Sequence, residues 1–417
     1  MEKSGKFRLT SLERNWILYD VGNSAFVLMV ATLIPIFFNA LAAAGGLSSV
    51  EYLAYWGYAS SAVTVITAVL SPILGTVADT KGFKKPIFIL CVFVGIVGCC
   101  AMGAASAWLP FLVIFVIAKV GFSGSLVFYD SMLSDVTTPE RMDEVSSRGY
   151  AWGYIGSCVP FVVCLGLVLG AGSIGISQMT ALNLALLLTA AWWLLTTLPL
   201  LKSYKQLYYV EVEKHAVRQS FARIGHTLRH LPEDKQVFWF LLAFFCYIDG
   251  VYTIIDMATA YGTALGLDTT GLLLALLVTQ IVAFPSALIF GRLSNKYPSA
   301  KLIPVCIAAY AGIAVFAFFL TRQWQFWVLA VIVGMFQGGV QALSRSHFAK
   351  IIPPEKSGEY FGLFDICGKG ASFLGTMIVS VGSQLTGSAN VGVGSLIVLF
   401  IVGFMLFRVS CRQGETV

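Results

Sequence analysis

Seven ionisable side chains stand inside or at the edge of long apolar stretches of the sequence: Asp20, Lys119, Asp130, Asp249, Asp256, Asp365 and Lys369. A charge in hydrocarbon costs about 2.5–3.5 kcal/mol on insertion scales, so each needs a partner, a watery cavity or a task. Acids and amines held away from bulk water can grip the two ends of a small charged solute, and a carboxyl can also carry a proton. Asp20 shares a helical face with Asn23 and Ser24, making a polar strip. Lys119 lies near the middle of its stretch, too deep for its ammonium to snorkel out. Asp249 and Asp256 fall on one helical stripe, while Asp365 and Lys369 have the i, i+4 spacing of an intrahelical ion pair. Gln337, Gln341 and Arg345 recur every fourth residue. The expected solute contacts are Asp20, Asn23, Lys119, Asp249, Asp256, Gln337, Gln341 and Lys369. Asp130 and Arg345, nearer the ends of their helices, are expected in a gate.

Two lysines, Lys119 and Lys369, face four aspartates, Asp20, Asp249, Asp256 and Asp365, inside the apolar runs. Surplus negative charge in a low-dielectric bundle is relieved by bound protons. Asp249, with no base within one helical turn, is the first expected proton carrier, and Asp365 the second. The histidines, His215, His226, His230 and His347, all fall outside the middle of the apolar runs. No nucleophile, base and metal set recurs there, so no enzyme, cofactor or metal site is expected.

The elements that position these groups follow from composition. The 417 residues are 58% hydrophobic and 12% charged, with a mean hydropathy of +0.82. Soluble domains carry about twice that share of charge, which excludes soluble enzymes, nucleic-acid modules and disordered regulators. Apolar runs of spanning length predict twelve helices, near 15–43, 53–78, 86–106, 109–132, 149–171, 176–200, 237–262, 269–293, 300–320, 325–346, 358–382 and 391–410. These are called spans 1 to 12. No cleavable signal is visible, so span 1 is expected to stay as an anchor. All the lysines and arginines except Lys119, Lys369 and Arg322 fall in alternate loops and both terminal segments. The positive-inside rule then predicts both termini in the cytoplasm. The polar segment 201–236 divides six spans, 1–200, from six more, 237–417. Within it Val217, Phe221, Ile224, Leu228 and Leu231 predict an amphipathic helix on the inner membrane surface. The nine cysteines show no metal-ligand spacing and read as packing residues.

The two halves echo one another. Span 2 ends Gly75-Thr76-Val77-Ala78-Asp79-Thr80-Lys81-Gly82-Phe83-Lys84-Lys85, and span 8 ends Gly291-Arg292-Leu293-Ser294-Asn295-Lys296. Tyr19-Asp20 in span 1 is matched loosely by Tyr247-Ile248-Asp249 in span 7. The first of these loops resembles the G-x-x-x-D-[RK]-x-G-[RK]-[RK] signature of the major facilitator superfamily, with Thr80 and Phe83 departing from it. That resemblance implies an all-α membrane fold of two pseudo-symmetric six-helix bundles, and a gate role for Asp79, Lys84 and Lys85. Five further stretches, Tyr19–Phe26, Arg148–Gly156, Tyr247–Gly250, Gln337–Ser346 and Gly368–Phe373, are similar to the vacuole-effluxer-like branch. That branch takes its name from a fungal vacuolar exporter associated with amino-acid release after autophagy. The Gly-Pro pair of drug antiporters is missing from span 5.

The expectation is a secondary active transporter working by alternating access, since the chain has no G-x-x-x-x-G-K-[ST] phosphate loop. Its partners would be a small polar metabolite (an amino acid by the resemblance alone), protons and bilayer lipid, with no nucleic acid. It would work as a monomer in a bacterial plasma membrane. The alternative is a lipid or amphiphile flippase on the same scaffold. A non-transporting receptor or scaffold would have no use for charged residues at mid-depth.

Overall fold

The computed structural model describes residues 7–211, 227, 229–258, 261–262 and 265–414. Twelve helices among these residues are long and apolar enough to cross a membrane. Span 1 is not one helix, as its apolar run suggests, but two, Ser11–Ala31 and Leu33–Ala44, with Thr32 between them. Pro35 supplies the reason: it has no N–H for the Ala31 carbonyl, and its ring crowds that carbonyl. Spans 2 to 6 are Ser49–Ala78, Lys84–Gly103, Trp108–Ser131, Met142–Leu169 and Gln178–Ser203. Spans 7 to 11 are Lys235–Asp256, Thr269–Leu293, Ser299–Phe318, Gln323–Ile351 and Ser357–Thr386. Span 12 comprises Ala389–Gly394 and Ile397–Gly414. Thr10 with Glu13 and Ser48 with Glu51 form capping boxes that fix where spans 1 and 2 begin.

Several helices outrun their apolar cores. Span 5 begins at Met142 rather than near 149, and span 10 runs to Ile351 rather than 346. The extra turns carry Asp143 and Glu144 on span 5 and Lys350 on span 10: Asp143 pairs with Lys350, and Glu144 with Arg148 and Asn295. Twelve crossings return the chain to the face on which it started, here called the termini face.

Spans 1 to 6 and spans 7 to 12 each pack into a bundle. The bundles meet where span 2 lies on span 11, span 5 on spans 8 and 10, and span 4 on span 11. The internal echo has a physical counterpart: Tyr19 donates to Ser125 at 2.5 Å in one bundle, and Tyr247 meets Ser344 at 2.6 Å in the other. After span 6 the chain turns back under the first bundle. Val210 N–H donates to the Asp79 carbonyl at 2.8 Å, and Gln206 accepts from Gly82 N–H at 3.0 Å. Of the amphipathic segment expected further on, Val217, Phe221, Ile224 and Leu228 lie outside the described residues.

Candidate transport site and the seam beneath it

The bundles are joined along the termini face by a polar seam. Gly75 and Gly358 let spans 2 and 11 touch backbone to backbone: a Cβ on Gly75 would sit 2.2 Å from the Gly358 carbonyl oxygen. At this contact Asp79 is wholly buried and accepts from Gly358 N–H at 2.7 Å and Glu359 N–H at 2.8 Å. Those amides are the unpaired donors of the first turn of span 11, where the helix dipole favours an anion. Lys84, also wholly buried, stands 3.7 Å from Asp79 and 3.5 Å from Asp135, and donates to Ser357 at 2.8 Å. Asp135 in turn accepts from Tyr204 Oη at 2.5 Å and from Leu207 and Tyr208 N–H at 2.9 Å. Lys85 stands apart from this cluster, its Nζ 3.5 Å from the Tyr204 carbonyl of its own bundle. The second copy of the loop reaches across in the mirrored place: Asn295 donates to Glu144 at 2.6 Å, and Gly291 lies against Ser147.

Burial pushes the Asp79 carboxyl from 3.8 up to about 7, against the pull of Lys84 and the two backbone donors, while Glu359 adds to the rise. Were the seam to part and let water reach it, a group so raised would release its proton. A seam that opens would then close more strongly as pH falls from about 7 towards 3.8, and less strongly as pH rises through that window. We expect the closed fraction, read as a spin-label distance between the 81–83 loop and residue 356, to follow this trend. Asp79→Asn should flatten it, because the amide cannot ionise. The variant also sets an NH₂ group against a backbone N–H, so turnover should fall more than binding. An unchanged pH profile and turnover would remove Asp79 from the gate.

One turn deeper, Arg345 of span 10 crosses into the first bundle. Its guanidinium donates to Asp130 at 2.9 Å and to the Ser146 hydroxyl and carbonyl at 2.9 and 3.0 Å, and lies 3.6 Å from Asp20. Three rings surround it, Tyr150 at 4.3 Å, Trp16 at 4.7 Å and Tyr129 at 5.3 Å. Tyr129 also donates to Asp20 at 3.0 Å. Gly149 leaves room for the pair, since its Cβ would come within 2.9 Å of Asp20 and 3.0 Å of Arg345. Asp20 thus sits in the seam with Asp130, whereas the sequence placed it among the solute contacts. Asn23 beside it donates back to the Tyr19 carbonyl at 2.9 Å. Lys350 and Asp143 add an ion pair at 2.6 Å across the same seam.

Away from the termini face, spans 4, 7 and 11 carry the remaining charged groups. Lys119 of span 4 is half-buried, its ammonium over the ring of Phe122 at 4.8 Å. Asp256 ends span 7 and is exposed. Lys119 and Asp256, on opposite bundles, are near enough for their charges to attract, and Lys369 is near enough to repel Lys119. Neither Lys119 nor Asp256 has an ion pair within 4.0 Å or a hydrogen bond among the described residues. Lys369 is already engaged with Asp365 at 2.6 Å, and Asp365 accepts from Ser71 of span 2 at 2.8 Å. Tyr154 donates to Gln341 at 2.9 Å, again between bundles.

Asp249 and Gln337 are placed differently from their expected stripe-mates. Asp249 is wholly buried, with Oδ1 accepting from Gly375 N–H at 2.9 Å and from Thr253 at 3.3 Å; its Oδ2 has no hydrogen-bond partner among the described residues. Gln337 lines a cavity of about 50 Å³ with Thr253, Thr279 and Gln280, and its Oε1 is likewise unmatched among the described residues. Sequence reasoning passed over Asp135 and Ser71. Asp135 follows Asp130 at the end of span 4 in a polar stretch that looks like ordinary loop, and a lone serine in an apolar helix gives no signal at all.

A family model described as "Vacuole effluxer Atg22 like" matches residues 11–142 and 134–416. The chain is 42% identical over 414 residues to the MFS-type transporter YxiO of Bacillus subtilis (strain 168), covering 98% of this chain and 97% of that one. It is 27% identical over 283 residues to Autophagy-related protein 22 of Saccharomyces cerevisiae (strain ATCC 204508 / S288c), a match spanning 58% of this chain and 53% of the yeast protein. Among solved structures it resembles the human organic anion transporter MFSD10 (TETRAN), with TM-score 0.72 and 14% identity over 95% of this chain and 98% of that one. It also resembles FucP in the outward conformation, with TM-score 0.71 and 16% identity over 96% and 97%. These two likenesses are of fold.

Proposed function

The chain belongs to the vacuole effluxer Atg22-like family of major facilitator transporters, and we propose that it moves a small zwitterion, an amino acid or a close relative, by proton-coupled alternating access. The observation that carries this reading is the pair Lys119 and Asp256: opposite charges on opposite bundles, near enough to attract one another and without an ion pair or hydrogen bond among the described residues; in this reading they face one cleft. A carboxylate end would take Lys119 and an ammonium end Asp256, so one solute would draw the bundles together. Fungal relatives named for autophagy support the substrate class. The alternating loop charge supports cytoplasmic termini in a bacterial plasma membrane, which makes the seam a cytoplasmic gate and this conformation outward-facing. The chain acts as a monomer in this reading, since the cleft lies wholly within one chain.

The coupling proton is assigned to Asp249. A buried carboxylate without a cation beside it is costly, and among the described residues Asp249 has only neutral hydrogen-bond donors, with one oxygen unmatched. Asp365 already has Lys369 and serves to tie the cleft to the seam through Ser71. In liposomes with an imposed pH gradient, wild type should accumulate substrate against its concentration, and Asp249→Asn should exchange it without accumulation. Gradient-driven accumulation that survives in the variant would overturn the assignment.

A further inference from the structure

Among the described residues, the hydrogen-bond, ion-pair and ring partners of the Arg345 guanidinium all belong to the other bundle. Span 1 supplies Trp16 and Asp20, span 4 supplies Tyr129 and Asp130, and span 5 supplies Ser146 and Tyr150. The rings offer faces to a flat cation, the carboxylates offset its charge, and the Ser146 hydroxyl and carbonyl accept its outward N–H groups. Such a set recognises planar guanidinium better than a compact ammonium. The cage is held by its own contacts as well as by the arginine: Trp16 donates to the Tyr129 carbonyl at 3.0 Å and stacks on that ring at 4.3 Å, and Tyr129 donates to Asp20. It is also separate from the transport cleft. Lys119 and Asp130 lie on the same helix, roughly 16 Å apart along the axis at 1.5 Å per residue, and the Tyr154–Gln341 bond lies between cage and cleft.

We propose that this cage is a second, regulatory binding site for guanidinium-bearing solutes, exposed on the termini side whenever the seam opens. The inference rests on the alternating-access reading. When the bundles part, span 10 withdraws Arg345 and leaves an aromatic and acidic socket already shaped for a guanidinium. A free guanidinium compound that occupies it blocks the return of Arg345 and holds the seam open. Because the competitor binds only the open state, its apparent affinity is reduced by the fraction of molecules that are open. Removing Arg345 removes that competition.

The test uses full-length purified protein and methylguanidinium as probe, with methylammonium as the comparison cation. Arg345→Ala should bind methylguanidinium roughly tenfold or more tightly than wild type and in preference to methylammonium, a step the size of one charge-assisted hydrogen bond. Adding Asp20→Asn and Asp130→Asn should abolish that binding. If the triple variant does not fold, Tyr150→Leu in the Arg345→Ala background removes one face of the cage without a charge and should weaken binding in the same direction. In wild type, methylguanidinium should raise the open fraction seen by spin labels across the seam. Absence of selective binding to Arg345→Ala, or a probe that leaves the wild-type seam closed at saturation, overturns the proposal. Failure of alternating access itself is read separately, as a seam that stays closed in every variant and with every ligand.

Discussion

Arg345→Ala is expected to abolish concentrative transport while leaving the protein folded in the membrane. The guanidinium is 2% exposed, engages two carboxylates and a backbone carbonyl of the other bundle, and lies among three rings. Removing one partner of a buried ion pair costs about 3–5 kcal/mol, because the remaining charges stay buried without compensation. Most of that loss falls on the closed seam, since the parted bundles let water reach Asp20 and Asp130. A change of that size lowers the closed-to-open ratio by roughly 10²–10³-fold, enough to trap the carrier with its seam open. Arg345→Lys should recover only part of the function, because an ammonium cannot stack between rings or donate in a fork. Spin-label distances across the seam, with flux in the same liposomes, check this. Normal flux with a closed seam in Arg345→Ala would mean that the arginine is only packing.

Lys119→Met is expected to lose substrate binding without moving the seam. Methionine keeps most of the length and an apolar tip beside Phe122, while the charge and its cation–π contact are lost. A hydrogen bond to a charged group contributes about 1.5–3 kcal/mol, which corresponds to roughly 10- to 150-fold weaker binding. Asp256→Asn should act from the other bundle on the other end of the solute. If one zwitterion bridges both residues, the two losses should be less than additive in the double variant. Thermal stabilisation by ligand reads the affinity. Equal ligand stabilisation of Lys119→Met and wild type would rule out this residue as a contact.

Much of this architecture is legible from residue order. The apolar spans, the charged alternate loops and the echo between Asp79 and Asn295 mark twelve helices in two related sets before any coordinates are known. Depth is legible too: Lys119 lies far from both ends of its span, and Arg345 closes a polar stripe. Which neighbour a side chain meets is another matter. Asp20 shares a face with Asn23, yet its partner in the other bundle is Arg345, 325 residues later in the chain, and only the packing of span 5 at Gly149 brings them together. Asp249 and Asp256 share a stripe, but Gly375 lets span 11 close over the first, while the second is exposed at the helix end. Helical periodicity reports a direction around an axis; a glycine on the facing helix decides whether that direction leads to backbone or to water.

The central claim is that a zwitterion moves through the cleft between the bundles, and solute counterflow tests it most directly. Purified protein in liposomes preloaded with one unlabelled amino acid at a time should take up the labelled form transiently for at least one of them. Lys119→Met should fail to do so with every amino acid tested. Counterflow of no amino acid or related zwitterion, from protein that scrambles labelled lipid in the same liposomes, would contradict the account and assign this scaffold to amphiphiles.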